Sequence, residues 1–152
     1  MALVLTRTNQ NSQEQLFSAH NGTVTQTFGA PLVPLLFNTV IVNTNFTPNA
    51  DGSVTFNTNG NYLITFDVSF ISSGNNVATS QTDIYKNGII VPGSSAFSNH
   101  SSSTTGQQTA TSSVIVSFNA TDTLLIQSTR IAGSGSLSTL ANGCRLNIKK
   151  MR

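Results

Sequence analysis

Charge is scarce in this chain. Only 12 of its 152 residues are charged, seven basic and five acidic. A nucleic-acid protein usually carries a basic patch interleaved with aromatics, and none is present. The net charge of +2 and the pI near 9.0 reflect two small counts. Three of the seven bases, Lys149, Lys150 and Arg152, fall in the last four residues and read as a solvated chain end. Cysteine is scarcer still: Cys144 alone, so no intrachain disulfide can form. Its alternation with Leu146 and Ile148 predicts a small buried hydrophobe, not a reactive thiol. Long apolar runs are missing as well. The opening MALVLTRTNQ holds a four-residue apolar run, too short for a signal-peptide core. No segment approaches transmembrane length, so neither membrane insertion nor a signal peptide is expected. A sustained 3.6-residue apolar period is also lacking, which makes helices minor.

What fills the chain is polar and uncharged. Asn, Gln, Ser and Thr make up 66 of the residues. Thr, Val, Ile and Phe are frequent, which suits strands. The stretch GNYLITFDVSF (60–70) alternates Tyr62, Ile64, Phe66, Val68 and Phe70 with Leu63, Thr65, Asp67 and Ser69. That is the period of a half-buried strand. Similar signals recur in NTVIVNTNF, SVTFNT, SSVIVSF, TLLIQST and GCRLNIKKM. Asn87-Gly88, in QTDIYKNGIIV, predicts a tight hairpin, because both residues tolerate positive φ. Pro31 and Pro34 fit an edge or a crossing between strands. Residues 1–15 read as a loose polar arm. The Ser/Thr/Gly stretch at 93–110 reads mostly as surface loop with one edge strand, and 131–139 as another loop. A chain of eight to ten such strands is expected to fold as two packed antiparallel sheets, all-β, a sandwich or jelly roll.

The order of these motifs resembles the bacterial C1q-like branch of the C1q/tumour-necrosis-factor superfamily, similar to the C-terminal domains of exosporium collagen-like glycoproteins. The resemblance is carried by LFSA near the start, PLLFNTVIVNT, and DGSVTFNTNGNYLITFDVSF with Gly52, Val54, Phe56, Gly60, Tyr62, Ile64, Phe66 and Val68. DIYKNG follows, then SSVIVSFNATDTLLIQ with Asp122 and Gln127. It covers roughly residues 16–149. No Gly-X-Y segment precedes these motifs in the chain as given, and the closing NGCRLNIKKM departs from the family's usual pattern. The resemblance implies an antiparallel jelly-roll sandwich of about ten strands over residues 16–152, with Phe37, Phe56, Gly60, Tyr62, Phe66, Val68 and Phe118 as core signature. It implies a homotrimer that buries one sheet of each protomer about the axis, and an extracellular or spore-surface address. Strands apolar on both faces need a second cover, which nominates Leu63, Tyr85 and Leu125 for the trimer interface, together with Ile71. Cover by loops of the same chain is the alternative.

The chemistry-bearing residues form no catalytic pattern. Glu14 falls in the arm, and Asp51 and Asp122 in turns, where Asp bonds nearby backbone. Asp67 and Asp83 lie on strands and form a carboxylate pair only if those strands meet; cross-strand bonds to Thr, Ser or Lys86 are the expected role. His20 and His100 fall in polar loops without metal-ligand spacing. No G-x-S-x-G elbow occurs. NADGS (49–53) offers Asp and Asn oxygens, but one carboxylate makes a weak calcium site. The N-x-S/T triplets at Asn21, Asn45, Asn99 and Asn119 are expected by chance at this composition. The chain is therefore expected to be non-enzymatic, with no cofactor and no metal. Its partners are itself, as a trimer, and a protein or glycan ligand met by loops 72–80 and 93–110, with Ser98, Asn99, His100, Asn75 and Asn76 as contact residues. A purely structural coat or trimerisation role is the alternative function.

Overall fold

The computed structural model describes residues 14–72, 77–100 and 107–152. Of the expected arm, residues 1–13 lie outside this range. Among the described residues there are thirteen strands and no helix. In chain order they are β1 (Leu16–His20), β2 (Thr27–Phe28), β3 (Val33–Pro34), β4 (Thr39–Asn43), β5 (Phe46–Pro48), β6 (Val54–Phe56), β7 (Gly60–Ser72), β8 (Ala78–Lys86), β9 (Ile89–Ile90), β10 (Ala96–His100), β11 (Gln107–Phe118), β12 (Thr123–Gly133) and β13 (Leu137–Lys150). Three span only two residues, which leaves ten of three residues or more, as the strand signals predict.

The strands form two antiparallel sheets. One has the order β11-β7-β13-β1-β4, with β2 pairing β13. The other has the order β10-β8-β12-β6-β5, with β3 pairing β12 and β9 pairing β8. From β2 to β5, from β6 to β8 and from β10 to β13 successive strands alternate between the sheets, and the termini of the fold meet where β1 pairs β13 along Leu16–His20. The two prolines inside strands, Pro34 and Pro48, sit on a two-residue flank and on the edge strand β5, where a missing N–H costs no ladder bond.

The alternation in β7 is realised in full. Tyr62, Ile64, Phe66, Val68 and Phe70 are completely buried, each contributing about 1.5–3 kcal/mol through burial. Cys144, Leu146 and Ile148 of β13 join them, so the cysteine is part of the core. At one end of the sandwich the core is aromatic. Phe56 stacks on Phe118 with ring centroids 3.8 Å apart, and Tyr62, Phe46 and Phe17 pack around the pair edge-on or tilted. Toward the other end it turns polar: Ser80 and Ser98 share a 2.6 Å hydrogen bond, and Thr82 and Ser128 one of 2.7 Å, all buried between the sheets. The expected core signature is placed accordingly. Phe37, Phe56, Tyr62, Phe66, Val68 and Phe118 are buried, and Gly60 opens β7, where Lys150 passes over its bare Cα.

The hairpin forms where the sequence asks for it. Asn87 and Gly88 both have positive φ (49° and 80°), and Lys86 pairs with Ile89 across the turn. Two expected loops are shorter than predicted. The 93–110 stretch contains the expected edge strand, β10, and also the start of β11, and 131–139 is mostly strand, leaving only residues 134–136 as a turn.

Candidate functional site

Each sheet presents one face to the core and one outward, so register arithmetic locates every candidate side chain. On the outward face of the β11-β7-β13-β1-β4 sheet, Ile115, Leu63, Lys149 and Leu16 stand side by side in one row. The next row is Ser113, Thr65, Asn147, Ser18 and Val42, and the one after it Thr111, Asp67, Arg145, His20 and Thr39. Hydroxyls tie these strands together: Thr65 with Ser113 at 3.1 Å, Ser18 donating to Asn147 at 2.8 Å, Ser69 with Thr109 at 2.9 Å. The face is mostly polar, with Ile115, Leu63 and Leu16 flanking Lys149 along one end. Ile115 in that row is 62% exposed.

The outward face of the other sheet carries Tyr85 and Leu125 as direct register partners, with Ile90 on the far side of Tyr85. Burial pushes the Tyr85 hydroxyl up from its usual value, and Asp83 nearby adds to it. The residues nominated for a trimer contact are thus divided. Leu63 and Ile71 lie on one outer face of the sandwich and the Tyr85–Leu125 pair on the opposite one, so one contiguous patch cannot hold all four.

The same topology separates the two strand carboxylates. Asp67 is on β7 and Asp83 on β8, on opposite outer faces, so no carboxylate dyad forms. Each is held by neighbours of the expected kind: Thr111 donates to Asp67 at 2.9 Å, and Ser95 and Gln81 donate to Asp83. His20 and His100 are strand ends, not loop residues. His20 Nδ1 accepts the Gly22 N–H at 3.1 Å, while His100 closes β10 with its ring buried. Asp51 accepts from the Ser53 N–H and hydroxyl at 2.9 and 2.7 Å, which lowers its pKa. Among the described residues no group of three or more His, Cys, Asp and Glu is placed to hold a metal. Burial raises the Cys144 thiol to about 11.

Of the proposed ligand contacts, Asn75 and Asn76 lie outside the described residues. Ser98, Asn99 and His100 belong to β10, whose alternation turns Ser98 and His100 inward and only Asn99 outward. The side chain that sequence reasoning missed is Phe97, just before them and 58% exposed. Reading AFSNH with period two would have placed it opposite Ala96 and Ser98, but phenylalanine is ordinarily assigned to the core.

One ionic cluster staples the rim. Asp122 accepts from the Asn119 N–H (2.8 Å) and the Asn87 amide (2.7 Å), and pairs with Lys86 at 3.0 Å. These bonds, the Asn119 N–H first, hold its carboxyl near 2, against an ordinary value of 3.8. A depressed folded-state pKa contributes stability above the unfolded value and loses it as pH falls through the folded one. The denaturation midpoint is therefore expected to drop between about pH 4 and pH 2, and the gap between wild type and Asp122→Asn to close across that window. Urea titrations at half-unit pH steps check this; a constant gap contradicts it.

Neither a protein-family model nor a curated protein matches the chain. Solved structures do. A structure of Eiger TNF from S. frugiperda superposes with a TM-score of 0.67 at 13% identity, covering 91% of this chain and 93% of that one. Murine APRIL at pH 5.0 gives 0.65 at 10% identity, over 91% and 100%. The globular domain of zebrafish complement 1qA gives 0.63 at 16% identity, over 92% and 98%. The chain has the jelly-roll fold of these TNF and C1q globular domains.

Proposed function

We propose that the chain is a non-enzymatic, homotrimeric recognition module. The outer face of the β11-β7-β13-β1-β4 sheet packs about a threefold axis, and the opposite sheet is displayed to a ligand. The observation that carries this reading is the outward row of Ile115, Leu63, Lys149 and Leu16, three apolar side chains around one lysine that pairs with Glu14, with Ile115 62% exposed. Exposed apolar side chains across the end of a β-face are a surface that a symmetric contact would cover. The fold it shares with TNF and C1q globular domains supports the same arrangement. The address that goes with it is extracellular or on a spore or cell surface; no helix among the described residues is long and apolar enough to cross a membrane. Three copies of one weak site give avidity without a deep pocket.

In this arrangement Tyr85 and Leu125 lie on the displayed side. The test is therefore a pair of variants followed by light scattering behind a sizing column. Ile115→Asp is expected to reduce the particle to a monomer, because it buries a charge in the contact. Leu125→Asp is expected to leave the trimer intact. Circular dichroism confirms that each variant remains folded. An Ile115→Asp protein of unchanged mass overturns the proposed interface.

A further inference from the structure

We infer that the outward face of the β10-β8-β12 strands binds a neutral glycan, stacked on Phe97 and oriented by Gln81 and Asn99; the inference rests on the recognition role proposed above and gives it a site and a ligand class. The chain has eleven aromatic side chains, nine Phe and two Tyr. Ten are buried, and Phe97 alone is open to solvent. The strand that carries it is inverted in polarity. Ser98 and His100 point into the sandwich, and the phenyl ring points out. Burying the ring would remove an exposed apolar surface from a sheet edge, where it otherwise invites aggregation. The fold instead spends a buried hydroxyl pair, Ser80 of β8 with Ser98 of β10, on holding this strand with the ring outward.

The surroundings of the ring specify the ligand. Gln81 is its register partner on β8, and Thr129 follows on β12. Directly paired residues stand about 5 Å apart, and Asn99, two residues along β10, about 7 Å away. Gln81 donates its amide nitrogen to both oxygens of Asp83, at 3.1 and 2.9 Å, which turns its carbonyl away from Asp83. Asn99 accepts the Thr79 hydroxyl at 3.3 Å through its carbonyl, which leaves its amide hydrogens as donors. An acceptor and a donor therefore flank one flat apolar ring at the spacing of a single sugar. The only charge on this patch, Asp83, is 1% exposed and bonded to Gln81 and Ser95. Arg130 belongs to the other side of β12, paired in register with inward-facing Ser80 and donating to the Gly135 carbonyl. A surface with no open charge selects an uncharged partner. A protein partner of ordinary size wants about 800 Å² per side with an apolar centre, whereas here a single ring sits among amides and hydroxyls. A pyranose, with one C–H face and a rim of hydroxyls, matches it.

The full chain is applied to a printed array of neutral and sialylated glycans, together with Phe97→Ala, Phe97→Tyr and Gln81→Leu. Binding to a subset of neutral glycans is expected, unchanged between about 0.15 and about 0.5 M salt, because no open charge takes part. Phe97→Ala is expected to weaken it at least roughly tenfold, since an aromatic stacking contact is worth about that much. Phe97→Tyr keeps it, and Gln81→Leu weakens it while sparing the fold. Particle mass is measured on every variant. A silent neutral array, undiminished binding by Phe97→Ala, or salt-sensitive binding confined to acidic glycans overturns the inference. A mass that falls in Phe97→Ala overturns it too, by assigning the ring to a contact between copies. A silent array on an intact trimer leaves the assembly reading standing; a monomeric wild type that still binds glycans through Phe97 does the reverse.

Discussion

Replacing Gly133 with valine is expected to lower stability by about 3–5 kcal/mol, a large share of the roughly 5–15 kcal/mol that holds a domain folded. Gly133 ends β12 with φ at 80°, a region that β-branched residues avoid. A Cβ placed there would lie 1.9 Å from the Val77 carbonyl oxygen and 2.6 Å from its carbon. Neither neighbour is a side-chain end that could swing aside. That carbonyl also receives the Ser134 and Gly135 N–H groups, so moving it breaks the turn that leads into β13. Backbone strain and clash can be told apart. Gly88 has the same φ of 80°, but nothing lies within 4 Å of its would-be Cβ. Gly88→Ala is therefore expected to cost only the conformational part, about 1–2 kcal/mol. Guanidinium titrations of both variants measure the difference. Equal midpoints would mean that Val77 is not fixed against Gly133.

Phe56→Ala is the second large effect, at about 3–5 kcal/mol. Phe56 is completely buried, stacked on Phe118 at 3.8 Å, with Tyr62 at 4.6 Å and Phe46 at 5.4 Å. It bridges the two sheets, since it lies on β6 while Tyr62 and Phe118 lie on β7 and β11. Truncation removes a ring and leaves a cavity lined by three others that cannot all collapse into it. Tyr62 in particular is tethered, its hydroxyl donating to the Thr58 carbonyl at 2.8 Å. Phe56→Leu keeps most of the volume and is expected to cost under about 1.5 kcal/mol. The readout is a shift in denaturation midpoint at constant slope. A loss below about 1 kcal/mol for Phe56→Ala would place Phe56 outside the cooperative core.

Strand identity was legible wherever polarity alternated. β7 and the end of β13 could be read residue by residue, because Tyr62 to Phe70 and Cys144 to Ile148 keep one apolar side. The Asn87-Gly88 turn was legible because its chemistry is local. Residues 107–111 at the start of β11 were not, since QQTAT presents only Ala110 to the core and amides and hydroxyls to the outside. β10 was obscured by its inverted polarity, which put Phe97 out and His100 in. The division of the nominated interface residues between the two outer faces was hidden for a different reason. Alternation tells that Leu63, Tyr85 and Leu125 share no face with their own strand's core residues. It does not tell which sheet a strand joins, because that is decided by pairing between residues far apart, such as Leu125 with Tyr85 and Leu63 with Lys149. The likeness in motif order anticipated the two-sheet jelly roll, and the superposition on TNF and C1q domains agrees with it.

A closed trimer is the claim on which the rest of the functional reading hangs. It gives the Ile115–Leu63–Leu16 row its cover and leaves the Phe97 face displayed three times. Molar mass in solution, from light scattering on the unmodified chain at micromolar concentration, tests it most directly. Three copies of the 16.0 kDa chain give about 48 kDa, which is the mass predicted here. A mass of about 16 kDa would leave the jelly roll in place and contradict the assembly.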